Sequence, residues 1–492
     1  MELIWKEISP ARLAGRSNTS VLIEGALPPP DNRPVTAVLC CSAKTSIEQT
    51  SVDSDHVDIV GTLTARITAQ SADGNIFVFE SEAEFEHSED LIGAVPGMTA
   101  DIKAVVSSIE TEINNGSISF SAKISLDISI LSRMPLRVLD GINGVNDLEF
   151  KYSNITCSDR SLIGTRTLRM REELAESGIT QVLSCSGTAT VRDIVCDGSG
   201  YSVGGVLTVN ALTLDADGRA AGIVRQLPFR ELLDVKPTLA DTYCTAEVKN
   251  LSIHALGEEF ALLAMEAEVC FKIYKAEKSE LALPIDAFSP SFGFDCLNER
   301  IMLFNDYGSA SASVQIKEES IIPESMTDIA MCIYALAEPI ITAVEADIGI
   351  ICISGIIKAS IIYQSSAGNK YTYTDEIPFN AEMNNTCGCN SPSINCSCST
   401  QITGYSERAV QLSFILQFEA ELNDIVQVDT VVGLAEKEIL RNTGSLIIAF
   451  TSKGDTLFDI AKRYSVSTES LIRLNPEAND ALNEGDRLLI LR

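Results

Sequence analysis

Fourteen cysteines and three histidines carry whatever metal or nucleophilic chemistry this 492-residue chain has. Four of the thiols share one loop, as Cys387-Gly388-Cys389 and Cys396-Ser397-Cys398. Two Cys-x-Cys pairs can chelate a soft metal or oxidise to disulfides. Structural zinc more often uses Cys-x2-Cys, so ordinary thiols in an inserted loop are the plain reading, and no metal or cofactor is assigned. Cys185, Cys270, Cys332 and Cys352 sit in apolar strand contexts, where Cys behaves as a small hydrophobe. His56, His87 and His254 are isolated from one another. There is no Cys/His pair, no Ser/His/Asp set and no repeated Glu pair for acid–base work, so the expectation is a non-enzymatic protein.

The strongest internal signal is a repeat. Residues 38–85, 182–229 and 332–379 superimpose without a gap. An Asp (Asp53, Asp197, Asp347) precedes a Gly (Gly61, Gly205, Gly355); a second Gly (Gly74, Gly218, Gly368) and a Phe (Phe85, Phe229, Phe379) follow at fixed offsets. A fixed self-similar period means one module used three times. Around the first Gly, apolar residues alternate, as in Val57, Ile59, Gly61, Leu63, Ala65 and Ile67. Period two places them on one face of a strand, and a mid-strand Gly marks a bulge or a close backbone approach. The second Gly lies in turn sequences such as Ala72-Asp73-Gly74-Asn75 and Ala216-Asp217-Gly218-Arg219, which read as hairpins. The Phe closes the next strand and plugs the core. A further alternating strand completes each copy, introduced in the first by Asn114-Asn115-Gly116. The fold class is therefore mainly β: three antiparallel β-sandwich-like modules followed by a small α+β unit.

Apolar residues at 45% suffice for packed cores, and a formal charge of −31 argues against nucleic acid and anionic membrane surfaces as partners. The most apolar run, Ile348–Ile357, is too short to cross a bilayer. Met1–Glu7 shows no basic segment leading into an apolar one, so no secretory signal is expected and the product should remain in the cytoplasm.

The expected division is a module over residues 1–135, which includes the stiff lead-in Leu27-Pro28-Pro29-Pro30, and further modules over 179–275 and 329–423. Connectors fill 136–178 and 276–328, and a tether fills 424–444. Arg166–Ser177 and Leu434–Arg441 are helix candidates within these joints. From 445 to 492 the period changes to strand–helix–helix–strand. Leu446–Phe450 and Arg487–Leu491 are the strands, Asp455 or Thr456 caps the first helix, and Ser467-Thr468-Glu469 opens the second.

This last stretch closely resembles the LysM domain through Gly454-Asp455-Thr456-Leu457, Asp459-Ile460-Ala461-Lys462-Arg463-Tyr464, Leu474-Asn475-Pro476 and Gly485-Asp486-Arg487-Leu488. The resemblance implies a shallow groove for N-acetylglucosamine polymers, formed here by Gly454, Asp455, Thr456, Leu457, Phe458, Asn475 and Pro476. Ala449 stands where an aromatic is common and Phe458 where Trp is frequent. Three β modules ending in one LysM domain are similar to the SipL-like SPOCS-domain family of endospore-forming bacteria, with Leu227-Pro228-Phe229 and Ile377-Pro378-Phe379 closing two copies. That likeness implies a morphogenetic scaffold of the spore coat, made in the mother-cell cytoplasm and assembled at the forespore surface. Its LysM domain would dock on a coat-basement ATPase (SpoIVA-like). A peptidoglycan-binding cortex or wall protein is the alternative.

Overall fold

The computed structural model describes residues 2–29, 34–114, 117–175, 178–196, 198, 200–215, 220–256, 262–438, 446–478 and 482–491. Asp197, the Ala216-to-Arg219 turn with Gly218, Asn115-Gly116 and Pro30 lie outside them.

The N-terminal part holds β1 (Leu3–Ile8), β2 (Arg12–Leu27), β3 (Val35–Asp53), β4 (His56–Ser71), β5 (Ile76–Asp90), β6 (Thr99–Asn114), β7 (Ser117–Ser132) and β8 (Leu136–Ile142). The middle part holds β9 (Glu149–Ala175), β10 (Ile179–Cys196), β11 (Tyr201–Asp215), β12 (Ala220–Leu233), β13 (Asp241–Leu256) and β14 (Leu262–Phe288). Then come β15 (Phe294–Ile321), β16 (Met331–Asp347), β17 (Gly349–Gln364), β18 (Lys370–Asn385), β19 (Ser393–Tyr405) and β20 (Ala409–Glu436). The chain ends in β21 (Leu446–Phe450), α1 (Leu457–Tyr464), α2 (Thr468–Leu474) and β22 (Arg487–Leu491).

Each module is built the same way. A three-stranded meander (β3-β4-β5, β10-β11-β12 or β16-β17-β18) faces a second sheet whose last strand lies in the middle (β2-β7-β6, β9-β14-β13 or β15-β20-β19). Between the sheets of the first module, Ile59, Leu63 and Phe85 meet Ile118, Phe120 and Ile124. The other two cores repeat the arrangement, with Phe229 against Phe271 and Phe379 against Phe418. The modules are sandwich-like, as the alternation implies.

The repeated Gly and Phe are partners across the strands: Gly61 opposes Phe85, Gly205 opposes Phe229 and Gly355 opposes Phe379. A Cβ at Gly61 would lie 2.6 Å from the Phe85 ring and 2.7 Å from the carbonyl oxygen of Ser46. On the other neighbouring strand the register shifts at the same place in every copy, after Ile47, Val191 and Ile341. The glycine thus admits both a bulge and an aromatic ring lying over the backbone. Gly74 and Gly368 serve differently, turning the next hairpin at φ +83 and +86. Asp53 and Asp347 end the strands before the first turn.

The segments expected as connectors are strands. Arg166–Ala175 is the end of β9 rather than a helix, because Leu168, Met170 and Leu174 alternate into the second core while Arg169 and Arg171 stay outside. Leu434–Glu436 likewise extends β20 against β15, and residues 439–445 lie outside the described part.

The modules close on themselves. The third meander strand of each packs on the first meander strand of the next: β5 on β10, β12 on β16, and β18 on β3. Repeat-equivalent positions meet at these joints. Gly222 lies against the Tyr334 ring, the Thr372 hydroxyl donates to the carbonyl of Leu39, and Val78 shares a cluster with Leu183. Leu39, Leu183 and Ile333, which occupy one position of the repeat, belong to that same apolar cluster. The ring is sealed on the far side by β15 beside β2, with Met302 opposite Leu13.

Charges line the inner junction. Lys103 of β6 and Arg160 of β9 meet one oxygen of Glu421 on β20 at 3.2 and 3.4 Å, and Arg160 donates to the Tyr243 hydroxyl at 3.2 Å. Burial works against the Glu421 charge, and the two cations outweigh it and hold its pKa below the usual range. Beside them opens a cavity of about 620 Å³. Glu419 faces it, and burial pushes its pKa up to about 7 although the Val191 N–H opposes the rise.

Two outcomes follow. Gly355→Val should place methyls into the Phe379 ring and Ile340 carbonyl and destabilise the third module by about 1–3 kcal/mol; an unfolding curve unchanged from wild type would disprove the close-approach role. A carboxyl with a raised folded pKa makes stability fall as pH rises from about 4.3, its unfolded value, to about 7. Glu419→Gln should therefore melt higher than wild type at pH 8 and alike at pH 4. Parallel melting profiles across that range would exclude it.

Candidate binding surfaces of the C-terminal domain

The terminal unit is a two-stranded antiparallel sheet, β21 with β22, covered on one face by α1 and α2. Its core contains Ala449, Leu457, Ile460, Ala461, Leu471, Leu488 and Ile490. Ala449 is 2% exposed, on the inner face of the sheet among the core residues.

Thr456 is the N-cap of α1 in a complete capping box: its hydroxyl accepts from the Asp459 N–H, and the Asp459 carboxylate accepts from the Thr456 N–H. Asp455 accepts from the Ser452 N–H at 2.8 Å and receives Arg463 on both oxygens. Arg463 and that N–H hold its carboxyl below the usual range. The Asn475 amide ties α2 to β22, donating to the carbonyls of Leu471 and Leu489 and accepting from the Leu489 N–H at 2.7 Å. Leu457 is buried. Phe458 meets Phe288 of β14 edge to face, with ring centroids 5.0 Å apart. Of the seven groove candidates, Gly454 (φ +89) and Pro476 are the exposed ones. Gly454, Asp455 and Thr456 lead into α1, Leu457 and Phe458 are its first residues, and Asn475 and Pro476 follow α2; the polar side chains among the seven bond within the chain.

The same contacts fasten the domain to the modules. Lys151 of β9 donates to both oxygens of Asp459, at 2.9 and 3.1 Å. Lys462 pairs with Asp286 of β14, and Glu149 of β9 accepts from the N–H and hydroxyl of Thr468 at the start of α2. Burial disfavours the Asp459 charge, but Thr456 and Lys151 more than compensate, lowering its pKa. The helix side of the domain therefore rests on the ends of β9 and β14.

On the opposite side no described residue covers the sheet. Leu446, Ile448 and Phe450 of β21 and Leu489 and Leu491 of β22 point outward, 41–67% exposed. Sequence reading missed this face. The signal was present, since Leu446–Phe450 and Leu488–Leu491 are apolar at both parities, whereas a half-covered sheet needs only one.

The cysteine loop forms no ligand cluster among the described residues. Cys396 and Cys398 pack toward the third core, and burial pushes both thiols up to about 12. Cys389 is buried beside the N–H groups of Asn423 and Ser391, at 3.1 and 3.3 Å. Hydrogen bonding from Cys387 holds its pKa below the ordinary thiol value. Every cysteine is a free thiol.

Residues 34–114, which span β3 to β6, match the family model described as SipL, SPOCS domain, and residues 452–490 match the LysM domain. The chain carries a SPOCS domain and a LysM domain. The second and third modules repeat the topology of the SPOCS-matching one. No curated protein and no solved structure matches the chain. SPOCS and LysM domains are binding and scaffold types, and together they fit a sporulation protein with a binding domain; LysM domains suggest peptidoglycan, glycan or protein ligands. No helix among the described residues is long and apolar enough to cross a membrane.

Phe288 is 6% exposed and belongs to the LysM core cluster, whereas each docking ion pair is partly solvated and worth about 0–1 kcal/mol. Phe288→Ala with Lys151→Ala should therefore release the LysM domain, seen as a larger radius of gyration and faster amide exchange in α1. Scattering indistinguishable from wild type would show that other contacts hold it.

Proposed function

We propose that this chain is a non-enzymatic morphogenetic scaffold of the spore envelope. It works in the mother-cell cytoplasm at the forespore surface, and its LysM domain docks on a coat-basement ATPase (SpoIVA-like). The supporting observation is the way the LysM domain sits: its helix side rests on the modules through Phe458, Asp459 and Lys462, so its outer sheet face points away from the body. The closed modules act as a rigid platform, and the terminal domain selects what is held. We propose the division 1–135, 179–275 and 329–423 for the modules and 445–492 for LysM, with β9 and β15 lying in the stretches between them and pairing with β14 and β20.

The second reading is binding of peptidoglycan or N-acetylglucosamine at Gly454, Asp455, Thr456, Leu457, Phe458, Asn475 and Pro476. The exposed backbone at Gly454 and Pro476 favours it, because sugars lean on backbone surfaces. Copurification with the coat-basement ATPase should succeed for the full chain and fail for a chain ending at residue 444. Equal recovery of both refutes LysM docking. Retention of the full chain, but not the shortened one, on purified peptidoglycan in place of ATPase binding would favour the second reading.

A further inference from the structure

We infer that the outer face of the β21–β22 sheet, rather than the loop groove, is where the LysM domain takes its protein partner. The partner contributes an extended segment that adds to the free edge of β21. The inference rests on the docking reading above and deepens it.

Leu446 stands opposite Leu491, Ile448 opposite Leu489 and Phe450 opposite Arg487, so the exposed side chains form one continuous apolar surface two strands wide. Contiguous exposed apolar surface with a polar rim marks an interaction site. Apart from Arg487 at one end, this surface offers methyls and one aromatic ring, with no donors or acceptors for sugar hydroxyls. The two edges of the sheet differ. Beyond β22, the Asn475 amide already engages the N–H and C=O of Leu489. Beyond β21 no strand lies among the described residues. A strand added there would continue the sheet, its main chain supplying affinity and its outward side chains packing beside Leu446, Ile448 and Phe450 to extend the apolar face.

Charge selects the partner further. Arg487 lies over the Phe450 ring at 5.7 Å, and neither it nor Lys453 in the adjoining turn has an ion-pair partner among the described residues. The added segment therefore alternates apolar residues and carries a carboxylate at its Arg487 end. A second copy of this chain fits poorly. Six cations and seven acids leave residues 445–492 at −1, so the −31 of the whole chain lies almost entirely in the modules, and two copies repel.

The test uses the purified full chain and the purified coat-basement ATPase. Ile448→Lys and Leu489→Lys should each weaken binding by about tenfold or more. Arg487→Glu should weaken it at low salt and less at high salt, and a soluble N-acetylglucosamine hexamer should not compete. All three side chains are exposed, so melting should match wild type; Ile448→Thr serves as a strand-compatible second variant should a lysine lower it. Wild-type affinity in both lysine variants, or competition by the hexamer, overturns the inference and leaves docking standing. No binding by the wild-type chain removes both. A wild-type dimer in light scattering that Ile448→Lys converts to monomer also overturns it, by giving the face to a second copy.

Discussion

Everything in this molecule is referred to one joint used three times. The third meander strand of a module meets the first meander strand of the next, and the third module returns to the first. Such head-to-tail contacts either close or propagate. Here three copies on one chain exhaust the joint, so further growth must use other surfaces. The apolar cluster holding Leu39, Leu183 and Ile333 makes closure favourable, because each buries surface that its own module leaves outside its core.

Closure demands that every module present the same edge in the same register, and the Gly–Phe pair serves that need. A one-residue slip in a long strand would turn its whole apolar face to solvent. The bulge opposite Gly61, Gly205 and Gly355, with the Phe ring seated over the glycine, holds the register at one point in each meander. The long strands then carry that order outward. β9 and β14 run beyond the second core and end as the ledge on which the LysM domain stands.

The LysM domain contrasts with its support. The modules are strongly acidic, closed and inward-packed; the domain is nearly neutral, and its helix face is occupied by the chain itself. Among the described residues it shows to solvent its turns, the end of α2 and an apolar sheet face. Residues that read as ligand contacts in sequence, Thr456, Asp455 and Asn475, are caps and ties in space. A spacing pattern records which residues a fold needs, and a cap is needed whether or not a ligand comes.

Much of this was legible in the residues alone. Period-two alternation, the repeated Gly and Phe, and the helix caps at Thr456 and Ser467 are local or strictly periodic features, and they determined the module, its copy number and the terminal domain. The strand character of Arg166–Ala175 was masked because one face carries Arg and Glu, which resemble a solvated helix until β14 lies alongside. Only the tertiary structure decided which edges meet, that the ring closes, and which faces of the LysM domain are covered. Leu39, Leu183 and Ile333 look like any other alternating residues; their meeting depends on the relative placement of strands far apart in sequence, which no local pattern records.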